Sequence, residues 1–538
     1  MSPRRLTRSE WWVGASLFIG YVMILVWTSS DLAMSRDESF YAQAAEYYGR
    51  WLAKLFSDPS FALTQASIDD AWRYNWEHPA WMKLMFAWSW LAHETLGLFS
   101  SASLAIRFPG MVTAGLLLWL IFAWGTVVLG ARGALFASLA FATMPRVFYH
   151  AHLAAFDVAI AFLVTLTAYT YWRSLTDRRW APLVGLAFGL ALATKHNSWM
   201  LPAIFAIHYA WVRAQDARHA RSLRPSMWWL PAMLGLGPIV FFATWPWVWF
   251  DSWNRIGAYV RFHLQHVHYT YEYFGVSYFE PPLPVSVPFV MTLFTVPITV
   301  VALAIIGLAS RRRELAPNWR PGPDGSQDTR VEVLWLGCLL APLVAIALPS
   351  TPIFGGTKHW ITAYPFLALW SGRGLISLIG NTGNLANALP GLRRVVFFCL
   401  CLAPGVTQAA HSHPFGLSHY GPVAGGTPGA ADLGMNRQFW GFTTGSLASW
   451  LTERLPQGGS VWTGDTTWGA WKMMQADGLL PDNIVPARSM AQADLILVHH
   501  EAHFREVDYQ AWVSSGSPQP VHVLTYDGVP IISVYENP

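Results

Sequence analysis

Charge is what this sequence has least of. Only 12% of its 538 residues are Asp, Glu, Lys or Arg, while 53% are hydrophobic, and such a chain has too few charges to cover a water-facing surface of its size. Lipid is therefore the expected solvent for most of it. Positive charge is scarce as well: the net charge is +4 and the arginines fall in short clusters between apolar runs. That distribution is explained by membrane topology and excludes a nucleic-acid partner. Cysteine is nearly absent. Cys338, Cys399 and Cys401 all lie inside apolar runs, which excludes a disulfide framework and a thiolate metal centre. No internal repeat is evident. What the chain does have is aromatic surface, including 31 Trp, which fits the amphipathic belts at the two faces of a bilayer.

A span needs about 20 apolar residues, and eleven runs of spanning or near-spanning length can be marked, at 11–28, 104–129, 133–149, 158–172, 181–193, 198–212, 227–247, 285–308, 331–348, 360–379 and 395–409. Arg4, Arg5 and Arg8 precede the first run and no small-residue cleavage site follows it, so it is expected to stay as a first span. Arginine-rich connections should then alternate. They do: Arg132; Arg173, Arg178 and Arg179; Arg213, Arg218, Arg221 and Arg224; Arg311 to Arg313; and Arg393 and Arg394 all fall on one side, together with the Pro/Gly segment 317–327. The short run 80–91 carries Lys83 and ends at His93 and Glu94. As a span it would put every later arginine cluster outside, so it is expected to lie at the outer interface as an amphipathic helix.

This register places Asp37, Glu38, His78, Asp157, Lys195, the loop 262–278, Lys358 and everything after residue 410 on the outer face. Beyond 410, Gly, Pro, Asp and His become common and apolar runs shrink to strand length at 460–463, 494–499 and 521–534. The expected organisation is a membrane domain, 1–410, followed by a soluble α/β domain, 411–538, on the outer, periplasmic side of a plasma or inner membrane. The Gly/Pro-rich stretch 413–445 links the two.

Several outer residues are candidates for chemistry. Asp37 and Glu38 stand directly after the first span, where a carboxylate pair is costly to bury and invites a functional reading; a solvated first helical turn is the plain alternative. Asp157 opens an apolar run after His150 and His152 with no basic neighbour in sequence, as a catalytic group or as a helix N-cap. Lys195 and Lys358 are cations at the interface, as phosphate ligands or snorkelling anchors. His263 and His266 share one side if their segment is helical, which suits a phosphate or a metal. A divalent metal stays open there, since the sequence offers no clear third and fourth ligand, and no other cofactor is called for. His78 closes the first outer loop.

Order and topology resemble the polyprenyl-phosphate-dependent glycosyltransferases of the GT-C fold, in the group of protein mannosyltransferases and lipid A aminoarabinose transferases. The resemblance rests on Arg36-Asp37-Glu38-Ser39-Phe40-Tyr41, Glu77-His78-Pro79, Arg107-Phe108-Pro109-Gly110, Phe156-Asp157, Ala193-Thr194-Lys195, Gly356-Thr357-Lys358 and Tyr364-Pro365. It implies that Asp37 is the catalytic base, with Glu38 beside it, that Asp157 shapes the donor and acceptor cavity, and that His78, Lys195, His263, His266 and Lys358 bind the lipid phosphate. Some relatives have Lys or Arg where this chain has His78 and His266, so here those charges would depend on pH. The implied partners are a polyprenyl-phosphate sugar, an acceptor protein, lipid or glycan, and the surrounding membrane lipids; the implied reaction is inverting sugar transfer. A transporter or flippase is the rival from another class, and a polysaccharide ligase a second. Most spans lack a charged residue near their middle, where transporters commonly place their site.

Overall fold

The computed structural model describes residues 5–218, 225–315, 328–353, 355–381, 390–501 and 505–538. The segment 317–327 and the arginines at 221 and 224 lie outside the described residues. All eleven apolar runs read from the sequence are helical, and the breaks between them follow from backbone chemistry. The second and third runs form one continuous stretch, Ala102–Ala142, broken at Gly130, whose φ of 78° and ψ of 163° turn the chain without a Cβ to obstruct it. The run 285–308 is split into Val287–Thr295 and Ile298–Ser310 by a bend of 120°, with Pro297 at the corner unable to donate a helical hydrogen bond. Pro145–His152 and Asp157–Ser174 meet at 103°, and the bend places Asp157 at the first turn of its helix.

Among the described residues, four helices are long and apolar enough to cross a membrane alone, Arg8–Asp31, Ala102–Ala142, Arg330–Ala347 and Gly391–Ser412, or up to six spans if each bent pair counts as one. Of the remaining runs, Ala181–Leu192 and Trp229–Ala243 are shorter helices, and Leu201–Arg218 and Tyr364–Asn381 have 18 residues each. Ala181–Leu192 packs along Trp229–Ala243, and Ile298–Ser310 along Tyr364–Asn381. Gly307 and Gly374 sit where a Cβ would strike the facing backbone, so small residues set the approach of that last pair, as is usual where apolar helices associate without a hydrophobic driving force.

Two further helices pack over this bundle. Arg36–Ser57 buries Tyr41, Ala44, Ala45, Tyr48 and Leu52, a stripe at i, i+3, i+4, i+7 and i+11. It packs on Trp81–Leu96, the helix expected at the interface, which ends at Gly97 with φ 64°. Lys83 does not snorkel from that helix. It is fully buried and donates to the Asn75 and His78 carbonyl oxygens at 2.6 and 2.8 Å, because the Trp72–Ala80 turn folds over it.

After Pro390–Ser412 the chain forms a five-stranded sheet in the order Ile484–Pro486, Gly459–Thr463, Leu495–His499, Val529–Glu536, His522–Tyr526. The first three strands are parallel, and the last two form an antiparallel hairpin. The single apolar stretch 521–534 is thus two strands. Asp527 and Gly528, at φ 50° and 77°, make the tight turn between them. The Gly/Pro-rich stretch 413–445 is not a loose link: Leu417, Tyr420, Phe439 and Trp440 are buried in the same core as the membrane helices.

Candidate active site

The helix Arg36–Ser57 begins at the site, and its first turn is held unusually firmly. Ser35 and Glu38 form a capping box, with the Ser35 amide donating to Glu38 Oε2 at 2.9 Å. Glu38 also accepts from the Ser35 hydroxyl, from Arg107 Nε and Nη2 at 2.8 and 3.0 Å, and from the Ala154 amide at 2.9 Å. Arg107 continues to the Leu32 and Ala33 carbonyl oxygens at 2.7 and 2.9 Å. Burial works to raise the Glu38 carboxyl, but Arg107 and the backbone donors outweigh it and hold it below the usual range. Glu38 is 0% exposed, so its oxygens face protein on every side. The sequence pairs Asp37 with Glu38 as catalytic groups; in the fold Glu38 turns to Arg107 and Asp37 to Lys358.

Asp37, one residue earlier, faces the other way. Its side chain is 26% exposed and accepts from Lys358 Nζ at 2.9 Å. Residues 321 positions apart therefore meet on one side of the bundle. Arg36 Nε lies 3.9 Å from the same carboxylate. Burial raises the Asp37 carboxyl, yet Lys358 and then Arg36 hold it below its ordinary value. Burial likewise lowers the Lys358 ammonium, opposed by Asp37 and Asp157. The ammonium lies 3.9 Å from the centre of the Trp440 ring. Its chain folds back over Gly355, where a Cβ would occupy the same space.

A second ion pair stands beside the first. Lys195 Nζ donates to Asp157 Oδ1 at 2.6 Å, and His150 Nδ1 lies 3.7 Å from Oδ2. Lys195 is set by the tight hairpin after Ala181–Leu192, and the next residues tie that hairpin to the Lys358 loop through Asn197 donating to the His359 carbonyl oxygen at 3.1 Å. Two carboxylates and two ammonium groups thus form one alternating set.

The expected histidines divide. His78 packs edge-on to Tyr41 and tilted against Phe156, with ring centres at 5.6 and 5.5 Å, and lies 6.0 Å from the His263 ring. His196 is 4.3 Å from His263. His263 Nε2 sits 3.0 Å from the Glu77 carbonyl oxygen, which fixes the proton on that nitrogen. Burial pushes His78 and His196 well below the ordinary histidine value and His263 to about 4, with neighbouring cations adding to each. The pH-dependent charge expected of His78 is therefore suppressed by its burial. His266 departs from the helical reading: the helix Ser252–Leu264 ends before it, so it does not share a helix face with His263. Its Nδ1 instead lies 2.7 Å from the Val267 carbonyl oxygen. Among the described residues no group of three or more His, Cys, Asp or Glu is arranged to hold a metal ion.

Sequence reasoning missed the arginines. Arg107 was read as part of a motif, but nothing in the sequence pairs it with Glu38. Arg146 is 1% exposed, and its guanidinium lies 5.1 and 5.5 Å from the Tyr420 and Phe439 ring centres, a cation–π enclosure worth about 2 kcal/mol when desolvated. Both aromatic partners come from the stretch after residue 410, so only the fold reveals them.

Residues 78–247 match the family model described as dolichyl-phosphate-mannose-protein mannosyltransferase. No curated protein matches the chain. Among solved structures, ArnT from Cupriavidus metallidurans in the apo state is similar at a TM-score of 0.51 and 15% identity, over 98% of each chain. The archaeal oligosaccharyltransferase of Archaeoglobus fulgidus in its apo form gives 0.49 and 12%, over 95% of this chain and 71% of that one. The mycobacterial arabinofuranosyltransferase AftD gives 0.44 and 14%, over 99% and 40%. The resemblance read from the sequence is borne out: the chain has the helical GT-C fold with a small C-terminal sheet, and its residues 78–247 match the mannosyltransferase family.

Proposed function

We propose that the protein transfers a monosaccharide from a polyprenyl-phosphate donor to an acceptor hydroxyl at the outer face of the membrane, with inversion at the anomeric carbon. The observation that carries this reading is the Asp37–Lys358 contact beside the Asp157–Lys195 pair. It supplies an ionised, partly exposed carboxylate beside two ammonium groups, each paired with a carboxylate. The family that residues 78–247 match takes its name from a dolichyl-phosphate donor, which fits a lipid-phosphate leaving group here.

In this reading the donor phosphate enters beside Lys358 and Lys195, and neutral His78 donates an N–H group to it, while His263, whose Nε2 proton is taken by the Glu77 carbonyl oxygen, packs beside His78. Charge grows on the phosphate as the glycosidic bond breaks, and preformed cations in a poorly hydrated site stabilise that growth most in the transition state. The acceptor hydroxyl approaches from the opposite face of the sugar, and Asp37 takes its proton as the new bond forms. A weakly basic carboxylate suffices, because the hydroxyl becomes acidic only as it attacks. Asp157 keeps Lys195 in place and its own carboxylate beside the sugar. Glu38 holds the Asp37 turn and takes no part in bond breaking. His266, on the outer loop, contributes at the rim.

The direct test is to incubate purified protein with radiolabelled polyprenyl-phosphate sugars and measure release of free lipid phosphate. Movement of labelled lipid between leaflets without release would make the protein a carrier.

Removing the Lys358 charge gives a pH signature. In Lys358→Gln, burial acts on Asp37 with only Arg36 against it, so the carboxyl titrates at higher pH. The base works only when ionised, and the acid limb of kcat/KM therefore moves upward in pH, with part of the lost rate recovered on the alkaline side. A rate profile with an unmoved acid limb would detach Lys358 from the base.

A further inference from the structure

The part of the chain after residue 410 reaches into the turn that carries Asp37. Arg36 Nη1 donates to Asp465 Oδ1 at 2.7 Å, and the Asp465 side chain is 0% exposed. Asp465 is itself bracketed by Glu501, which is 6% exposed and hydrogen-bonds to it. The Arg36 amide donates to the Trp440 carbonyl oxygen at 3.1 Å, and Ser39 and Thr467 share a hydroxyl contact at 2.6 Å. Trp440 supplies a second, independent contact, since its ring lies 3.9 Å from Lys358 Nζ. To do both it holds φ at 65°, left-handed backbone that a Trp rarely adopts, followed by Gly441 at φ 58° packed on the Asp465 carbonyl. Strain of this kind persists where the surroundings over-determine it and collects at functional sites.

We infer that the C-terminal unit is part of the catalytic centre: Asp465, acting through Arg36, and Trp440, acting against Lys358, are positioning residues that set the Asp37 carboxylate and its ammonium partner relative to the acceptor. The inference rests on the proposed transfer reaction for its kinetic consequence, and on geometry for its structural one. The reason for such a clamp is physical. The first turn of a helix leaves its amides without partners, and a guanidinium next to Asp37 with no anchor of its own would close onto that carboxylate and cover it. Asp465 draws Arg36 aside: its oxygen is 2.7 Å from the guanidinium, against 3.9 Å for Asp37. Burial pushes the Glu501 carboxyl upward, opposed by its hydrogen bond with Asp465 and by Arg36.

The test uses the full-length protein in detergent with Asp465→Asn and Asp465→Glu. Expected for Asp465→Asn is a fall in kcat of about tenfold to a hundredfold with the donor KM within about threefold of wild type, the pattern of a misplaced reacting group. The melting temperature should stay close to wild type, and Asp465→Glu should restore most of the turnover. Hydrogen–deuterium exchange of residues 36–41 provides an arm that needs no substrate, and it should quicken in Asp465→Asn alone. Wild-type turnover with unchanged exchange in Asp465→Asn would overturn the inference. So would a loss that tracks unfolding and that Asp465→Glu does not repair, because that is a structural role only. A wild-type protein that transfers no sugar would refute the functional reading, and the exchange arm would then decide the positioning by itself.

Discussion

Asp37→Asn leaves the protein folded and stops transfer. The expected fall in kcat is about 10²–10⁴-fold, the usual contribution of a positioned general base, with the donor KM little changed because the phosphate is held by other groups. Asparagine keeps the shape and can still accept from Lys358 Nζ, now 2.9 Å from the carboxylate. It cannot take the acceptor proton. The change also leaves the Lys358 ammonium without its paired negative charge, so binding of lipid phosphate should hold or tighten. Release of labelled lipid phosphate measures the first effect, and retention of labelled polyprenyl phosphate on the purified variant measures the second. Near-normal turnover would remove Asp37 from the mechanism.

Glu38→Gln, one residue away, is expected to act on folding. Arg107 is 1% exposed and spends two of its nitrogens on Glu38, and removing one partner of a buried ion pair costs about 3–5 kcal/mol because the other charge stays buried without compensation. The glutamine amide also brings a donor to where the Ser35 and Ala154 amides already donate. Melting in detergent should therefore fall steeply, and Arg107→Met should fall comparably. The pH dependence has a definite sign. Glu38 titrates below its ordinary value in the fold, so its stabilisation is complete above the unfolded carboxylate pKa of about 4.3 and is lost as pH drops through the lowered folded value. The variant should lack that acid-side loss. A Glu38→Gln protein that melts like wild type but does not turn over would return Glu38 to the chemistry.

The contrast between these neighbours shows what was legible in advance. Both carboxylates stand after a span, and both looked equally suited to catalysis, because a sequence shows residue type and order but not which side of a helix turn meets protein. The turn direction is decided by Arg107, 69 positions on, and Lys358, 321 positions on. The same holds for the histidines. His263 and His266 were paired by helical spacing, and joined to His78 by the family resemblance, yet a helix ending at Leu264 separates His266 from His263, and burial lowers His78 and His263. Lys83 was one reason for placing its helix at the interface; a turn folding back over it makes it internal.

The sequence by itself determined the solvent and the helices. Low charge and long apolar runs require lipid and internally satisfied backbone, and these depend only on local composition and periodicity. The chain order of Asp37, Asp157, Lys195 and Lys358 was also enough to bring a family to mind. Only the tertiary structure decided which charges pair, which of two adjacent carboxylates stays partly exposed, and that Asp465 and Trp440 from beyond residue 410 reach the same turn. Pairing energies depend on distance and burial between groups hundreds of residues apart, and neither quantity is written in the order of residues along the chain.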